Sequence, residues 1–152
     1  MQSAKTKPRY KYLLIGLLII LLTGLTIVWY IFTEKFSDTA KHQSDFTVNA
    51  MDFIKEFQLN DSAANKKYIE KIVTVNGTVS EIELADTSVN IKFIDSTSGD
   101  YVIFAFQQQH LNEAKTLQEG KQASIKGSCS GGAKSEILGI KYISFKRAAL
   151  NK

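Results

Sequence analysis

The chain has 152 residues, with 19 basic and 15 acidic side chains and a net charge of +4. Four basic residues and no acidic residue precede the first long apolar stretch, so the chain from Thr33 onward carries 15 charges of each sign. This balance argues against a large phosphate-binding surface on that part of the chain. The single cysteine, Cys129, excludes an intrachain disulfide. The length predicts one domain besides any membrane segment.

The first element in the chain is a stretch without any charged residue, residues 13–32, which begins at Leu13 and ends at Phe32. Twenty helical residues span about 30 Å, which is the thickness of the hydrocarbon core of a bilayer. Aromatic residues stand at both ends of the stretch, where they suit the two membrane interfaces. We therefore predict a transmembrane anchor over residues 13–33 that contacts the lipid bilayer through residues 13–32. A cleaved signal peptide is the alternative.

The charges that flank this stretch predict its orientation. The tail of residues 1–12 is basic, whereas the charges that follow the stretch cancel. Because positive flanks stay on the cytoplasmic side, we expect the N-terminus in the cytoplasm and the C-terminal domain outside it.

The next residues predict a polar stalk, residues 34–45, and then two short helices. Ala50, Ile54 and Phe57 recur at helical spacing, so we predict one helix over residues 46–59, capped by Ser44 or Asp45. Asn60 and Asp61 should end it and cap a second helix over residues 62–68. We expect the whole segment 46–69 to pack on the domain that follows; a coiled-coil or partner-binding role is the alternative.

From residue 72 the apolar period changes to two, which is typical of strands. We predict a long first strand over residues 72–84, bent at Gly77, and two further strands joined by a turn at residues 96–100. Alternating apolar residues in these two strands are expected to face inward: Val89, Ile91, Phe93, Val102, Phe104 and Phe106.

A short helix is predicted next, within residues 108–120, and is followed by a fourth strand over residues 121–128. A glycine-rich loop at residues 129–135, a fifth strand over residues 137–145 and a tail at residues 148–152 complete the chain. This order predicts an all-β fold with flanking helices, a five-stranded OB-fold barrel over residues 70–147. Periodicity alone leaves an SH3-like barrel or a general α+β domain open.

Three motifs in this region carry a family resemblance. They are KKYIEKIVTVNGTVSEI (residues 66–82), VIFAF (102–106) and LQEGKQASIKGSCSGG (117–132). They resemble the tRNA_anti-like OB-fold family, small bacterial proteins that are often membrane- or lipid-anchored. The residues that match the family pattern are Tyr68, Val75, Gly77, Val79, Gly120, Gly127, Cys129 and Gly131. The resemblance implies a nucleic-acid ligand and a bacterial protein. With the orientation that the flanking charges predict, the domain is then expected on the periplasmic side of the inner membrane.

A candidate ligand face follows from the predicted OB fold, because such barrels bind along their second and third strands and in nearby loops. The side chains expected to point away from the core there, with lysines that add charge nearby, are Asn90, Lys92, Tyr101, Ile103, Gln107, Lys126, Lys134 and Lys141. Tyr101 and Lys92 would form a small stacking and charge platform. A plain solvated surface is the alternative interpretation.

Other reactive residue types give weaker signals. Glu81, Glu83 and Asp86 resemble a cation site, but we interpret them as charges on an exposed strand edge. His42 and His110 lack partners at metal-ligand spacing. Cys129 is interpreted as a small packing residue. We therefore predict no catalytic residue, no metal and no cofactor, and we do not expect an enzyme.

The sequence leaves two functions open for the domain. The first is an OB-fold module that binds nucleic acid, as the family resemblance implies. The second is an extracytoplasmic domain that binds an envelope protein or a glycan, which the neutral charge and the predicted topology favour.

Overall fold

A computed structural model describes residues 10–33 and 38–151 of the chain, and the side chains of residues 12–30 and 38–151. Two compact units are present, divided between Ser37 and Asp38. Residues 1–9 of the predicted basic tail, residues 34–37 of the predicted stalk and the final residue lie outside the described residues.

The first unit contains one helix, α1 (Tyr10–Thr33). Its segment Tyr12–Tyr30 has a mean hydropathy of 2.5, and its large apolar side chains are exposed. The helix is thus long and apolar enough to cross a membrane, and an N-terminal signal sequence has the same features.

The second unit contains three further helices and seven strands. The helices are α2 (Ala50–Leu59), α3 (Asp61–Tyr68) and α4 (Leu111–Ala114), with 3-10 turns at Thr39–Lys41 and Gln108–His110. The strands are β1 (Phe46–Asn49), β2 (Ile72–Thr78), β3 (Glu81–Leu84), β4 (Val89–Ile94), β5 (Tyr101–Phe106), β6 (Gln122–Lys134) and β7 (Lys141–Leu150).

The strands form one sheet in the order β1-β2-β6-β7-β5-β4-β3, which is not closed. The predicted five-stranded barrel is therefore not confirmed. The predicted first strand is broken at Val79 and Ser80, because the Val79 amide donates to Lys121 O whereas the Ser80 amide donates to Lys92 O. The two halves, β2 and β3, consequently pair with different neighbours.

The predicted first helix begins too early. Phe46–Asn49 is strand β1, which pairs in parallel with β2 so that Phe46 lies opposite Val73. Asn49, and neither Ser44 nor Asp45, caps α2 by accepting a hydrogen bond from the Met51 amide at 3.0 Å. The predicted cap of the second helix at Asn60 is confirmed by its bond from the Ala63 amide, also 3.0 Å.

The predicted glycine-rich loop is also wrong, since β6 continues through it to Lys134. The glycines admit the helices closely: a Cβ on Gly132 would lie 2.5 Å from the Phe57 ring. The last strand, β7, begins at Lys141 instead of residue 137 and extends through residues 148–150 of the predicted C-terminal tail. Ile137 lies in the turn between the two strands and is 95% exposed.

The core lies between the sheet and helices α2 and α3. The six predicted inward residues of β4 and β5 are all buried, which confirms the alternation in those strands. Phe53, Phe57 and Tyr68 from the two helices are each 1% exposed. The Phe53 and Tyr68 rings meet edge to face, with centroids 4.9 Å apart. Because one side of β4, β5 and β7 faces this core, the alternate side chains point outward.

Candidate ligand-binding face

The outward side chains of β4, β5 and β7 form a continuous surface. In the sheet register Lys92 lies opposite Ile103 and Ile94 opposite Tyr101, while Tyr101 lies beside Tyr142 of β7. We define the outer face as the residues that these strands turn away from the core: Asn90, Lys92, Ile94, Tyr101, Ile103, Ala105, Tyr142 and Ser144.

A stacked pair of tyrosines is the most prominent feature of the outer face. The rings of Tyr101 and Tyr142 have centroids 5.9 Å apart and an interplanar angle of 19°. Lys92 Nζ lies 5.3 Å from the centroid of the Tyr101 ring, within the range of a cation–π contact. Sequence reasoning missed Tyr142, although its alternation with Ile143 and Phe145 already placed it on the outward side of the last predicted strand.

Lys92 is neutralised by two carboxylates of the neighbouring strand. Its ammonium donates to Glu81 at 3.1 Å and to Glu83. Burial lowers the pKa of Lys92, but the hydrogen bonds to Glu83 and then to Glu81 outweigh it and raise that pKa overall. The hydrogen bond from Lys92 lowers the pKa of Glu83. The carboxylates therefore hold Lys92 in its charged form and offset the positive charge that the sequence analysis expected on this face.

Gln107 and Lys126 are not part of the open surface with Tyr101. Residues 38–44 cover both, because the Thr39 amide donates to Gln107 Oε1 at 3.3 Å and Lys126 Nζ donates to the carbonyl of His42 at 3.0 Å. Lys126 is only 8% exposed. At roughly 3.3 Å per residue, this covered end of β5 lies about 20 Å from Tyr101.

The other two predicted lysines lie near the opposite end of the sheet. Lys141 does not reach the outer face, since its ammonium donates to Asp61 at 2.8 Å and to the Phe57 carbonyl at 3.2 Å. Lys134 is its partner in the β6–β7 register and is exposed. Between them, in the turn beside Tyr142, Leu138 is 68% exposed.

The histidines and the cysteine do not form a metal centre. Within residues 10–33 and 38–151, no group of three or more His, Cys, Asp or Glu side chains is arranged to hold an ion. His110 Nε2 instead lies 2.7 Å from Asp38 Oδ1. Burial raises the pKa of Cys129 to about 11, so its thiol is protonated at neutral pH.

A sequence model of the tRNA_anti-like family matches residues 6–139 of the chain. The chain belongs to the tRNA_anti-like family. This match covers the apolar helix and most of the domain, and it confirms the resemblance found in the sequence motifs. No curated protein matches the sequence significantly.

Among solved structures, the domain is similar to a lipoprotein from Klebsiella pneumoniae whose name ascribes nucleic-acid binding to it. The TM-score is 0.54 at 19% identity, over 79% of this chain and 100% of that one. At this identity the similarity shows the fold alone, and neither the family name nor the lipoprotein name refers to a catalytic activity.

Two more distant structures are similar over a smaller part of the fold. They are asparaginyl-tRNA synthetase from Entamoeba histolytica, at 16% identity over 68% of this chain and 23% of that chain with a TM-score of 0.39, and DNA-binding domain A of Replication Protein A from S. cerevisiae, at 17% identity over 53% and 81% with a TM-score of 0.34.

Proposed function

We propose that this protein is a membrane-anchored OB-fold binding module that takes its ligand on the outer face, with single-stranded nucleic acid as the first candidate ligand. The observation that carries the proposal is the stacked pair of Tyr101 and Tyr142. Aromatic side chains on an OB sheet serve as platforms on which bases stack. The family match, and the nucleic-acid binding in the lipoprotein's name, support the same ligand class.

The strand order supports the OB assignment. Strands β2 and β3 are the two halves of one predicted strand, separated by Val79 and Ser80. The path β3-β4-β5-β7-β6-β2 therefore begins and ends on that strand, as in the partly open Greek-key barrel of OB folds. Strand β1 is an addition at one edge.

The ligand site that we propose keeps four of the eight predicted residues, Asn90, Lys92, Tyr101 and Ile103, to which the structure adds Tyr142 and Ser144. Lys134 lies outside this site, because it is opposite Lys141 in the β6–β7 register and so lies on the side of the sheet that faces the helices. Because Glu81 and Glu83 neutralise Lys92, few phosphates can be paired with a lysine on this face. Binding would then depend on stacking, and its affinity would fall only weakly with salt, with a slope of about 1 or less in log–log form.

A second candidate function is binding of an extracytoplasmic protein or glycan. The observation in its favour is the turn beside Tyr142, where Ile137 and Leu138 are 95% and 68% exposed. Exposed apolar side chains next to aromatic ones are common at protein-binding surfaces.

We propose the same topology for both functions, with helix α1 as an uncleaved anchor, the N-terminus in the cytoplasm and the domain on the periplasmic side. The mass of the mature chain, and its resistance to alkaline extraction from membranes, would test the anchor.

Titration of the full chain in lipid nanodiscs against labelled single-stranded DNA and RNA tests the function. We expect micromolar binding, an affinity loss of about tenfold in Tyr101→Ala, and no loss in the matched control Tyr101→Phe, which keeps the ring. If the full chain fails to bind either oligonucleotide at low salt, the nucleic-acid ligand is wrong. Equal binding by the alanine and phenylalanine variants would remove the outer face as the site.

A further inference from the structure

A short segment crosses the covered end of the outer face from one strand to the next. Residues 38–44, which we call the strap, follow the residues that connect helix α1 to the domain. The Thr39 amide donates a hydrogen bond to the side chain of Gln107, which follows β5. The His42 carbonyl accepts a hydrogen bond from Lys126 of β6. Ser44 Oγ lies 2.5 Å from Thr74 Oγ1 of β2. The strap therefore lies over a row of side chains that continues the outer face beyond Ala105.

Lys126, beneath the strap, is a buried cation with a neutral partner. Its side chain is 8% exposed, and its hydrogen bond goes to a backbone carbonyl at 3.0 Å. None of the described acidic side chains forms an ion pair with it, whereas Lys92 forms two, and Lys141 and Lys146 form one each. Lysines this buried are normally paired with a carboxylate. An anion at this position would be a better partner for Lys126 than the carbonyl.

The strap is held mainly by a few polar contacts. Thr39 is its one buried side chain among the described residues, at 2% exposed, while Lys41, His42 and Gln43 are exposed. Its other end is held by the contact of 2.7 Å between Asp38 and His110. Segments with few buried apolar contacts open locally at low free-energy cost.

We propose that the strap is a movable cover and that Lys126 is an additional phosphate-contacting residue that becomes available when the strap lifts. This inference rests on the proposed nucleic-acid function. A strand of nucleic acid stacked on Tyr101 would reach Lys126 along the outer face, since OB folds contact about 4–16 nucleotides. Lifting the strap would lengthen the site and add a charge that Glu81 and Glu83 do not offset.

The first test measures the strap without a ligand. The full chain in nanodiscs is treated briefly with an acetylating reagent, and modification of Lys126 is compared with that of the exposed Lys134 by mass spectrometry. We expect slow modification of Lys126 in the wild type and at least about threefold faster modification in His110→Ala, which removes the contact to Asp38. Resistance of the buried Cys129 to iodoacetamide in both proteins verifies that each is folded. An unchanged Lys126 rate in the folded variant would refute the movable cover.

The second test measures the oligothymidylate affinity of the full chain in nanodiscs at one fixed pH. We expect His110→Ala to bind about three- to tenfold more tightly than the wild type, and Lys126→Gln to abolish that gain and reduce the salt slope by about 0.7. Binding by the wild type without a gain in His110→Ala, or with a gain that survives Lys126→Gln, would refute the inference and leave the proposed function intact. Absence of binding in every variant would refute both.

Discussion

Removing the two carboxylates that hold Lys92 should make nucleic-acid binding on the outer face depend more strongly on salt, because the released lysine can pair with a phosphate. In the native chain Lys92 Nζ lies 3.1 Å from Glu81 Oε2 and also contacts Glu83, while its ammonium lies 5.3 Å from the Tyr101 ring. The double substitution Glu81→Gln and Glu83→Gln removes two negative charges but keeps side chains that can accept hydrogen bonds. Lys92 then stays at the same place with its charge no longer offset.

The magnitude follows from the change in charge. The three side chains Glu81, Glu83 and Lys92 together carry −1 in the native chain and +1 in the double variant. One phosphate that pairs with the released Lys92 steepens the slope of log affinity against log salt by about 0.7 for a single strand. A charge-assisted hydrogen bond of this kind also gives about tenfold tighter binding at low salt.

The assay is fluorescence anisotropy with oligothymidylate at several salt concentrations, using the full chain in nanodiscs. The control is Asp52→Asn with Asp86→Asn, which changes the net charge equally at two exposed positions. Only the Glu81 and Glu83 variant should show both the tighter binding and the steeper slope. If the control shows the same changes, the effect is one of net charge, and the account of Lys92 is wrong.

Three further predictions concern stability and reactivity. Gly132→Ala places a Cβ 2.5 Å from the Phe57 ring and should cost about 1–3 kcal/mol in unfolding; most of this cost should vanish in a Phe57→Leu background, and an equal cost in both would contradict the clash. The hydrogen bond from His110 lowers the pKa of Asp38, so its stabilisation is present above about pH 4 and is lost as the pH falls. Asp38→Asn should therefore reduce the fall in melting temperature that the wild type shows as the pH drops below about 4. An equal fall in both proteins would contradict the stabilisation by the Asp38–His110 contact. With a pKa of about 11, about one Cys129 thiol in a thousand is ionised at pH 8, so iodoacetamide should label it rapidly only after denaturation.

The parts of the fold predicted from the sequence are those set by local periodicity. The alternation in β4 and β5 placed Phe93 and Phe104 in the core, and Asn60 capped α3 as its side chain predicts. Strand β1 could not be predicted, because Phe46–Asn49 becomes a strand only by pairing with residues that lie far along the chain. The glycines near the end of strand β6 predict a loop when only the sequence is considered. In the structure they belong to the strand, where the absence of a Cβ lets helices α2 and α3 approach closely.

The candidate site was predictable in the same limited sense. The periodicity correctly placed Lys92 and Tyr101 on the outward side of their strands. It gave no signal for the strap over Lys126, since a contact between residues 42 and 126 depends on the folded arrangement. It also could not show that Glu81 and Glu83 neutralise Lys92, because that depends on the register of β3 against β4.

The central claim is that ligand stacks on the outer face at Tyr101 and Tyr142. Photo-crosslinking tests it most directly: the full chain in nanodiscs is irradiated with single-stranded RNA that contains a photoreactive pyrimidine, and the modified residues are identified by mass spectrometry. The account predicts crosslinks at Tyr101 or Tyr142 that disappear when both are replaced by leucine. Crosslinks confined to helices α2 and α3, or none under conditions in which the RNA is bound, would contradict it.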